Sequence, residues 1–553
     1  AEMFVVDTTA CVGKSAKDMF SIVAARFKWT EHVGDLAEAL AADERPTIHC
    51  VLHAPQVLAR FRRLGVGSWT SRYVGLHDLC DKGNFARMVK SVEGLCDRQE
   101  WAFNPPTWAL PEQLEALRAV LSHDAASGDR RTYIVKPEDR SQGTGIFLVQ
   151  GLQELDMRMV MKAKKASIAQ RYLDRPLLLG GFKFDLRVYV LLVGGSSETP
   201  PFAYLCREGL ARFCTEVYEE PSRANMGRSM AHLTNYSLNK RSGNFAHSGS
   251  TLEEVFDIHS TASKRPLTAV LEQLDAQYSG FSRQCFYEGL VKLVRTTIAT
   301  IAPVLTSYYR SHRGDGGPMP CTHILGYDVM LDKKFKPHLL EINNSPSMSV
   351  DESLPLDADD PRLPESPEIS PDRWRADGAV ARPNPQQVRD GKVCQCSDCP
   401  LPHTHRNSLV DLVVKTTVLS GLFSVLAQLG AGVEAPQVSG FDAVDIADHP
   451  LFAALSAAEA LFARSGGVQK AFLSSTLRRV LGPVCGNGRL EKHDLDAVSQ
   501  RLRGTSYVSH ERGLKPDPLR LFDFLDALRQ VGAVAFPQLP PLEAIRQVVL
   551  AAG

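Results

Sequence analysis

The sequence predicts an α/β (α+β) protein, and three observations support this class. Short apolar strand patterns alternate with helical periodicity along the chain. Two apolar runs, at residues 324–331 and 338–342, flank a polar turn, which is the pattern of a β-hairpin. With 553 residues, of which 44% are hydrophobic, the chain is long enough for three or four modules with large cores.

Residues 1–129 predict a small α/β domain. The segment 103–111 is punctuated by prolines and is predicted to be extended, because residues that precede proline avoid the helical region. The apolar residues of segment 82–95 have helical spacing. The predicted elements are strands at 3–7 and 46–52 and helices at 82–95 and 114–122.

Residues 132–150 predict a strand, a polar glycine loop and a second strand. The β-forming residues before Lys136 place it at the end of the first strand, where its ammonium could contact a phosphate. Gly143 and Gly145 would let the loop amides approach a polyphosphate. A Gly-x-Gly hairpin loop is at least as consistent with an ordinary turn, and no helix opens after it as in a Walker loop.

Residues 182–193 (FKFDLRVYVLLV) predict a strand whose two faces differ. Lys183, Asp185 and Arg187 fall on one face, and the residues between them are apolar. Three charged residues on one face of so apolar a strand favour a functional role. The cations would bind phosphates, and Asp185 would bind a ribose or align the bases. A surface strand is the alternative.

The polar turn of the predicted hairpin fixes its register. A four-residue loop at 333–336 sets Asp328 directly opposite Glu341, about 5 Å away on the same face. Asn343 lies two residues beyond Glu341 and points to that face too. Burying two carboxylates together is costly without a cation, and oxygen ligands of this kind suit Mg²⁺. The alternative is the solvent-exposed polar face of an ordinary hairpin.

Residues 351–407 are acidic, rich in proline and poor in apolar residues, and are predicted to form a surface loop or a disordered insertion. The end of this segment carries soft ligands in a density that suits Zn²⁺, with exposed thiols as the alternative. These ligands are Cys394, Cys396, Cys399, His403 and His405. Residues 409–429 then predict an apolar helix that packs on the preceding core, and several short helices follow from about residue 450.

The 63 Lys+Arg and 63 Asp+Glu residues exclude a global basic bias toward nucleic acid, so an anionic partner would need a local patch. Candidate cations for such a patch are Arg60, Arg62, Arg63, Arg72, Lys162, Lys164 and Lys165. No apolar run is expected to reach the roughly 18–20 residues of a membrane span, and no signal peptide is predicted. The 12 scattered cysteines indicate reduced thiols and a cytosolic protein.

Five stretches, in this order, resemble the tubulin tyrosine ligase-like family: YIVKPEDRSQGTGIFL, QRYLDRPLLLGGFKFDLRVYVLL, YLCREGLARFCTEVY, HLTNYSLNK and ILGYDVMLDKKFKPHLLEINNSPSM. Upstream, LCDKGNFARMV and FNPPTWALP are also similar. The resemblance covers residues 1–350 and the helix near 409–430. It implies an ATP-grasp fold, in which N-terminal, central and C-terminal lobes clamp ATP between two sheets.

The implied organisation has six parts. They are an N-terminal α/β domain (1–129), a central ATP-grasp domain (130–230), a C-terminal ATP-grasp catalytic domain (231–350), the acidic insertion (351–407), a helix completing the catalytic core (408–430) and a helical C-terminal extension (431–553).

The resemblance also implies roles for individual residues. ATP would contact Lys136, Ser141, Gly143, Gly145, Gln170, Tyr172, Leu173, Lys183 and Asp185. Catalysis would use Asp185, Arg187, Arg212, Thr234 and Asn235, with both arginines near the γ-phosphate and the last two residues at the acceptor end. Mg²⁺ would be held by Asp328, Glu341 and Asn343, the set that the hairpin register indicates independently.

The implied reaction is ATP-dependent amide formation. An acceptor carboxylate attacks the γ-phosphate to give an acyl phosphate, and the amine of a free amino acid then displaces phosphate. The motifs KFDLRVYVLL and HLTNYSLNK resemble the polyglutamylase branch, which implies free L-glutamate as co-substrate and the acidic C-terminal tails of tubulin as acceptor. A polyglycylase and a catalytically inactive microtubule-associated scaffold are the alternatives.

The same resemblance predicts where the protein works and with what it associates. A monomer is expected in the cytoplasm and cytoskeleton, at the cilium, axoneme or basal body. Microtubules are the predicted partner, and neither nucleic acid nor a membrane is expected to be one.

Overall fold

The computed structural model describes residues 4–11, 14–32, 45–50, 54–61, 64–97, 99–140, 143–161, 166–196, 198–313, 317–355, 403–465, 474–487, 493–495, 497–498 and 520–552. Within these residues the strands form three sheets and one separate two-stranded ladder.

The N-terminal sheet is parallel, and both strands predicted in this region are confirmed. Its strands are β1 (Val5–Asp7), β2 (Thr30–His32), β3 (Thr47–His49) and β4 (Trp69–Thr70), in the order β2-β1-β3-β4. Parallel neighbours need crossover connections, which α1 (Lys14–Arg26) and α2 (Ala54–Phe61) supply. After α3 (Leu76–Cys80), the predicted helix is α4 (Lys82–Val92), and the carboxylate of Asp81 caps it by accepting hydrogen bonds from two amides.

The second sheet contains the predicted glycine hairpin. Its strands are β5 (Thr107–Leu110), β6 (Tyr133–Pro137), β7 (Phe147–Val149) and β8 (Ser167–Arg171), in the antiparallel order β5-β8-β6-β7. Leucines of α5 (Leu114–Ala126) and α6 (Leu152–Met161) pack on it and fill a small core of its own. The pairing of β5 with β8 crosses the domain boundary predicted at residue 129.

The third sheet is the largest of the three. The remaining strands are β9 (Leu178–Leu179), β10 (Phe182–Val193), β11 (Phe202–Phe213), β12 (Lys264–Pro266), β13 (Thr322–Leu331), β14 (Pro337–Asn343), β15 (Asp351–Pro355), β16 (His403–Asn407) and β17 (Phe441–Val444). The main path of the sheet is β12-β11-β10-β13-β14, with β9 on β10 and β17 on β11. The ladder of β15 and β16 is separate.

Helices cover both faces of the third sheet. In chain order they are α7 (Ser229–His232), α8 (Tyr236–Asn239), α9 (Leu252–Val255), α10 (Leu267–Gln277), α11 (Arg283–Arg313) and α12 (Leu409–Gly430). Leu186 and Val188 of β10 lie in the core with α11, whereas Tyr189 and Leu191 lie in the core with α12 and the N-terminal sheet. The alternation predicted for β10 is confirmed.

Both faces of β10 are buried. Lys183 and Asp185 are each only 3% exposed, so the surface-strand alternative is wrong. Burial of charged groups is costly unless they are paired, and their partners therefore decide what this face does.

Two helices, α11 and α12, pass the length and hydropathy test for a membrane span, with mean hydropathy of 1.3 and 1.8 in their most apolar windows. The expectation that no stretch of the chain reaches this limit is wrong for them. In the folded protein 78% and 67% of these windows are buried, so packing in the two cores accounts for their composition. The predicted packing of residues 409–429 on the preceding core is confirmed by the contacts of α12 with Tyr189 and Trp29.

The two ends of the predicted insertion are ordered, so its description as a loop or disordered segment is wrong for them. Strand β15 pairs antiparallel with β16, and Asp351 lies opposite Asn407. Glu352 of β15 is 2% exposed, and its carboxylate accepts a hydrogen bond from Arg406 of β16 at 3.0 Å. It also bonds His247 at 2.9 Å, which fixes the ladder to the segment between α8 and α9. The predicted zinc cysteines lie outside the described residues. Within the described residues, no group of three or more His, Cys, Asp or Glu side chains could hold a metal ion, so the zinc prediction has no support.

The helices of the C-terminal part are α13 (Pro450–Arg464), α14 (Ser474–Leu481) with a 3₁₀ turn (Gly482–Asn487), α15 (Arg520–Ala535) and α16 (Pro541–Ala551). Among them, α13 packs against α11, and the others join the same core. Phe462 of α13 and Phe524 of α15 are in contact, with ring centroids 5.4 Å apart and ring planes tilted by 49°. The expected short helices after residue 450 are confirmed.

Candidate active site

A cleft separates the second sheet from the third, and it gathers residues from both. Its walls come from β6, β7, β8, β10, β13 and β14 and from the segment around α7. The lining residues are Ile134, Lys136, Ile146, Gln170, Arg171, Tyr172, Leu173, Lys183, Asp185, His232, Leu233, Thr234, Asn235, Asp328, Met330, Leu340 and Glu341. Most of the residues predicted to bind a nucleotide are in this set.

Lys136 reaches across the cleft from β6. Its ammonium donates to the side-chain oxygen of Gln170 at 2.9 Å and to the carbonyl of Leu340, on the opposite sheet, at 3.4 Å. Burial lowers the pKa of Lys136, and the charge of Glu341 opposes that shift. Lys136 and Gln170 are therefore hydrogen-bonded neighbours, a contact that the sequence does not predict.

Lys183 lies on the third sheet in an aromatic cage. Its ammonium donates to the hydroxyl of Tyr172 at 2.6 Å and to the carbonyl of His232 at 2.9 Å, and it lies 4.0 Å from the centroid of the Tyr172 ring. Burial lowers the pKa of Lys183 to about 8, against the opposing charge of Asp185. Near neutral pH this lysine is a cation held mainly by neutral partners, which suits it to an anionic ligand.

Asp185 is the acceptor at the centre of the charged face. Its carboxylate accepts two hydrogen bonds from the guanidinium of Arg212, at 2.8 and 2.7 Å, and one from the hydroxyl of Thr234 at 2.6 Å. The bidentate geometry fixes the Arg212 side chain in one orientation. The structure thus brings three of the predicted catalytic residues together.

Arg187 and Arg212 converge on Asp328. Arg187 forms a bidentate pair with that carboxylate at 2.5 and 3.1 Å, and Arg212 approaches it at 3.0 Å. Burial alone raises the pKa of Asp328, but the two arginine charges outweigh it and hold the pKa well below its usual range. Asp328 therefore stays ionised and orients two cations at the floor of the cleft.

The register predicted for the β13–β14 hairpin is confirmed at the site. Asp328 pairs directly with Glu341, and Gly326 pairs with Asn343. The loop, however, has five residues (332–336) between Leu331 and Pro337, where four were predicted. Asp328 pairs with Glu341 and Val329 with Leu339, so Leu340 of β14 has no opposite residue and forms a β-bulge. This bulge restores the predicted register. The carbonyl of this bulged residue is the one that Lys136 contacts.

The amide of Asn343 joins the two carboxylates. Its nitrogen donates to Asp328 and to Glu341, both at 3.3 Å. A half-turn of the Asn343 amide about its Cβ–Cγ bond would exchange the positions of its nitrogen and oxygen. The amide oxygen would then lie between the two carboxylates, and one face of the hairpin would offer three oxygen ligands. These three side chains fit a hard divalent cation such as Mg²⁺, since carboxylates this close favour a cation between them.

The glycine loop between β6 and β7 meets the segment after β11. Gly143 and Gly145 have φ of 82° and 77°, in the left-handed region that favours glycine. A Cβ on Gly143 would lie 3.2 Å from the side-chain oxygen of Asn235. Close approach between the loop and Asn235 is thus possible because residue 143 is glycine. Ser141, predicted in the same loop, lies outside the described residues.

The apolar lining of the cleft was not predicted from the sequence. Ile134 and Ile146 from the second sheet, Leu173 after it, and Leu233 and Met330 from the other wall line the cleft. Of these, Leu173 alone had been selected, on the resemblance. The positions of Ile134 in β6 and Met330 in β13 carry no signal beyond ordinary core periodicity, so the sequence alone could not mark them as lining residues.

His232 was also missed, although it opens the HLTNYSLNK motif. Its ring nitrogens bond the Tyr172 hydroxyl at 3.2 Å and the carbonyl of Asn225 at 3.1 Å, and its carbonyl holds Lys183. Burial and the charge of Lys183 lower the pKa of His232. As a neutral ring, His232 therefore holds the Tyr172 hydroxyl and, through its carbonyl, the Lys183 ammonium in place.

Two cations expected on an acidic-partner patch are buried instead. Arg60, 4% exposed, contacts the carboxylate of Asp7 and the hydroxyl of Thr9. Arg72, 8% exposed, donates to the carbonyl of Asn344 and the hydroxyl of Ser345, next to the metal-ligand hairpin. The patch prediction is wrong for both. Its other members, Arg62, Arg63, Lys162, Lys164 and Lys165, lie outside the described residues.

The fold and the cleft together define a class of protein. Two antiparallel sheets face each other across the cleft, whose lining includes apolar side chains, two buried lysines and the carboxylates of Asp185, Asp328 and Glu341. Two arginines pair with these aspartates from the third sheet. This is an α/β protein with a site suited to a phosphate-bearing ligand together with a divalent cation.

Comparison with known proteins narrows this class. The model of the tubulin-tyrosine ligase family matches residues 81–358, which is half of the chain. The chain belongs to this family, and the resemblance predicted from its motifs is confirmed. All the site residues discussed above lie within the matched range.

The chain is similar to proteins that are named polyglutamylases. It is 36% identical to tubulin polyglutamylase TTLL11 of Homo sapiens over 284 residues, which are 51% of this chain and 38% of the relative. It is 34% identical to tubulin polyglutamylase ttll-11 of Caenorhabditis elegans over 290 residues, 52% of this chain and 39% of the relative. It is 33% identical to tubulin polyglutamylase TTLL6 of Mus musculus over 297 residues, 53% of this chain and 33% of the relative. The chain therefore spans well under half the length of these relatives.

Proposed function

We propose that this chain is an ATP- and Mg²⁺-dependent tubulin polyglutamylase. It would add glutamate to glutamate side chains of the C-terminal tails of tubulin. The observation that carries the proposal is the convergence of charged and polar groups on Asp328, at the edge of the cleft. The Asn343 amide joins Asp328 to Glu341, and Arg187 and Arg212 both contact Asp328.

The charges of the cleft support ATP as co-substrate. Lys136 and Lys183 enter from opposite sheets, so a polyphosphate between the sheets would be contacted from both sides. Mg²⁺ bound by the three oxygen ligands would neutralise phosphoryl oxygens. The apolar walls offer surfaces for a planar base, and Gln170 has an amide for hydrogen bonds. Ser141, Gly143, Gly145, Tyr172 and Leu173 complete the proposed nucleotide site.

An ATP-grasp arrangement follows from this proposal. The second and third sheets would be the two walls that clamp the nucleotide, with the N-terminal sheet as the third lobe. Since β10 pairs with β13 on one side and with β11 on the other, a division along the sheets assigns residues 182–213 to the same lobe as the hairpin. The helical C-terminal extension would support α11 from outside.

The side chains can promote amide formation without a covalent enzyme intermediate. The acceptor carboxylate attacks the γ-phosphate, the bond to ADP breaks, and an acyl phosphate forms; the amine of L-glutamate then attacks the acyl carbon and releases phosphate. Arg187 and Arg212, pre-oriented by Asp328 and Asp185, would stabilise the charge that develops on the phosphoryl oxygens. Thr234 and Asn235 lie at the proposed acceptor end.

Glutamate is proposed over glycine because the relatives named above are polyglutamylases. A scaffold without activity would be free to lose site residues, whereas seven residues proposed to contact ATP or Mg²⁺ are all present. They are Lys136, Lys183, Arg187, Arg212, Asp328, Glu341 and Asn343, and hydrogen bonds or ion pairs link the last five of them. Association with microtubules in the cytoskeleton, including those of cilia, follows from the proposed acceptor.

Transfer of labelled amino acids onto purified microtubules tests the proposal. We expect ATP-dependent incorporation of glutamate by the wild type and by Lys90→Met, a control at an exposed site on α4. Glu341→Gln should abolish it while the protein stays folded. Incorporation of glycine or tyrosine instead would overturn the glutamate assignment, and no transfer with nucleotide bound would overturn the enzyme assignment.

A further inference from the structure

The charged face of the third sheet continues beyond the proposed nucleotide site. Residues paired across strands form two neighbouring rows. Lys264 lies opposite Arg212, which lies opposite Asp185. Two residues along β10, Arg187 lies opposite Asp328, which lies opposite Glu341. Directly opposed residues share a face. Lys264 thus extends the first row by one strand, on the side away from the metal ligands, and no role proposed above uses it.

Helix α12 adds two more charges at this end of the first row. Asp411 is contacted by the ammonium of Lys264 and, at 2.9 Å, by that of Lys415. Lys415 also donates to the carbonyl of Ser349, six residues after Asn343. Exposure is 6% for Lys264 and 4% for each of the other two. Two ammonium groups therefore share one carboxylate in a nearly closed space.

The neighbouring charges do not balance this excess. Arg187 and Arg212 are matched by Asp185 and Asp328. The negative charge of Glu352 is paired with the positive charge of Arg406. The negative charge of Asp351 likewise acts on the positive charge of Lys240, so these four residues add no net charge. Within the part of the chain that the structure describes, the cluster of Lys264, Asp411 and Lys415 thus carries one positive charge when both lysines are protonated, and burial lowers the pKa of Lys415. A buried charge of this kind costs several kcal/mol unless an anion approaches it.

The position of the cluster indicates which anion. The ring of Tyr236 lies 4.3 Å from the Lys264 ammonium, and Tyr236 follows Thr234 and Asn235, which line the cleft. The excess charge is therefore beside the proposed acceptor end and not beside the lysines assigned to ATP. An ammonium has three donors, and the contacts described for Lys415 are to Asp411 and one carbonyl.

We propose that Lys264 and Lys415 form a carboxylate subsite next to Arg212, which binds a carboxylate of either the incoming amino acid or the acceptor. This rests on the proposed function for the nature of the substrates. A carboxylate held at Lys264 would lie one strand away from Arg212 and two strands away from Arg187, the arginines proposed to stabilise the transferred phosphoryl group. Asp411 forms ion pairs with both lysines, and its negative charge reduces the repulsion between their ammonium groups.

The full-length Lys415→Met variant tests the subsite, because it leaves Lys264 and Asp411 as a balanced pair. Initial rates would be measured with L-glutamate, acceptor peptide and ATP varied in turn. We expect KM for glutamate or for the peptide to rise at least about tenfold, the effect of losing a hydrogen bond to a charged group, with KM for ATP unchanged. A rise for glutamate assigns the amino acid to the subsite, and a rise for the peptide assigns the acceptor. Lys415→Arg should restore most of the affinity, and Lys264→Met should repeat the loss.

A fall in kcat with all three KM values unchanged, or a rise in KM for ATP alone, would overturn the proposal in favour of a structural role. Calorimetric titration of L-glutamate and of the acceptor peptide provides a readout without turnover. A wild type that transfers nothing but binds one of these ligands at least about tenfold more tightly than Lys415→Met would refute the polyglutamylase activity and still support the subsite. Equal affinities in both proteins for both ligands would overturn the subsite itself.

Discussion

Nucleotide affinity should depend on pH through Lys183. Burial lowers the pKa of its ammonium to about 8, because the groups that touch it, the Tyr172 hydroxyl and the His232 carbonyl, are neutral. A phosphate binds the protonated form. As pH rises through about 8, the free protein loses this proton, and binding must then include the cost of restoring it.

The size of the effect follows from that pKa. Between pH 7 and pH 9 the protonated fraction of a group with pKa of about 8 falls about tenfold, so the nucleotide Kd should rise about tenfold, or about 1.4 kcal/mol. The sign is fixed: affinity is full below the pKa and decreases above it. Stability without ligand changes in the opposite direction, since a lysine in the unfolded chain keeps its proton to about pH 10.4 and the folded form binds fewer protons between the two values.

Titration of a fluorescent ATP analogue over this pH range measures the slope. Lys183→Met should bind more weakly near pH 7, by about tenfold or more, and its affinity should not follow the same titration. Lys90→Met removes an exposed lysine and should match the wild type at every pH. A wild-type Kd that is constant across the range, or a Lys183→Met variant that keeps the tenfold rise, would refute the reasoning and place the titrating group elsewhere, with Lys136 as the first candidate.

Three further perturbations separate structural from functional roles. Asp328→Asn removes the carboxylate partner of Arg187 and one of the two carboxylate partners of Arg212, which keeps Asp185, and should cost about 3–5 kcal/mol in chemical denaturation. Glu341→Gln, for which no arginine partner is described, should cost less than about 1 kcal/mol while also abolishing transfer. Gly143→Ala should weaken nucleotide binding, because residue 143 has φ of 82° and the new methyl meets Asn235; Gly151→Ala, in open space, should not, as the same binding assay would show. Phe423→Ala should lower stability by about 3–5 kcal/mol in a urea melt, because its ring stacks on Trp29 at 4.8 Å; a loss below about 1 kcal/mol would contradict the assignment of α12 to the core.

Local pattern predicted those parts of the site that lie on regular strands. Alternation along β10 places Lys183, Asp185 and Arg187 on one face whatever the tertiary context, because side chains of a strand repeat every two residues. The opposition of Asp328 and Glu341 followed from hairpin geometry. This agreement depended on two deviations that cancel, since a loop longer by one residue is compensated by the bulge at Leu340.

Contacts between distant segments could not be predicted in this way. Arg72 and Arg60 look like surface cations in the sequence, and their partners are separated from them by 272 and 53 residues. The pairing of β5 with β8 was missed for the same reason, because a four-residue strand next to prolines carries no signal for the sheet it will join. The apolar walls of the cleft have ordinary core composition, and only the facing sheet gives them a binding role.

The charged face also constrains how the protein must fold. Asp185, Asp328 and Asp411 come from three segments of the chain, and each holds at least one cation from another segment. None of these carboxylates or cations could be buried before its partner arrives, because an unpaired buried charge costs several kcal/mol. The four elements β10, β11, β13 and α12 therefore have to assemble together, even though the proposed insertion separates α12 from the rest in sequence.

The ladder of β15 and β16 brings the two ends of that insertion together beside Ser349, which keeps Lys415 within reach of the site. Deleting residues 356–402 while joining β15 to β16 by a short turn should consequently preserve the fold and nucleotide affinity, whereas breaking the ladder by Glu352→Ala should weaken both.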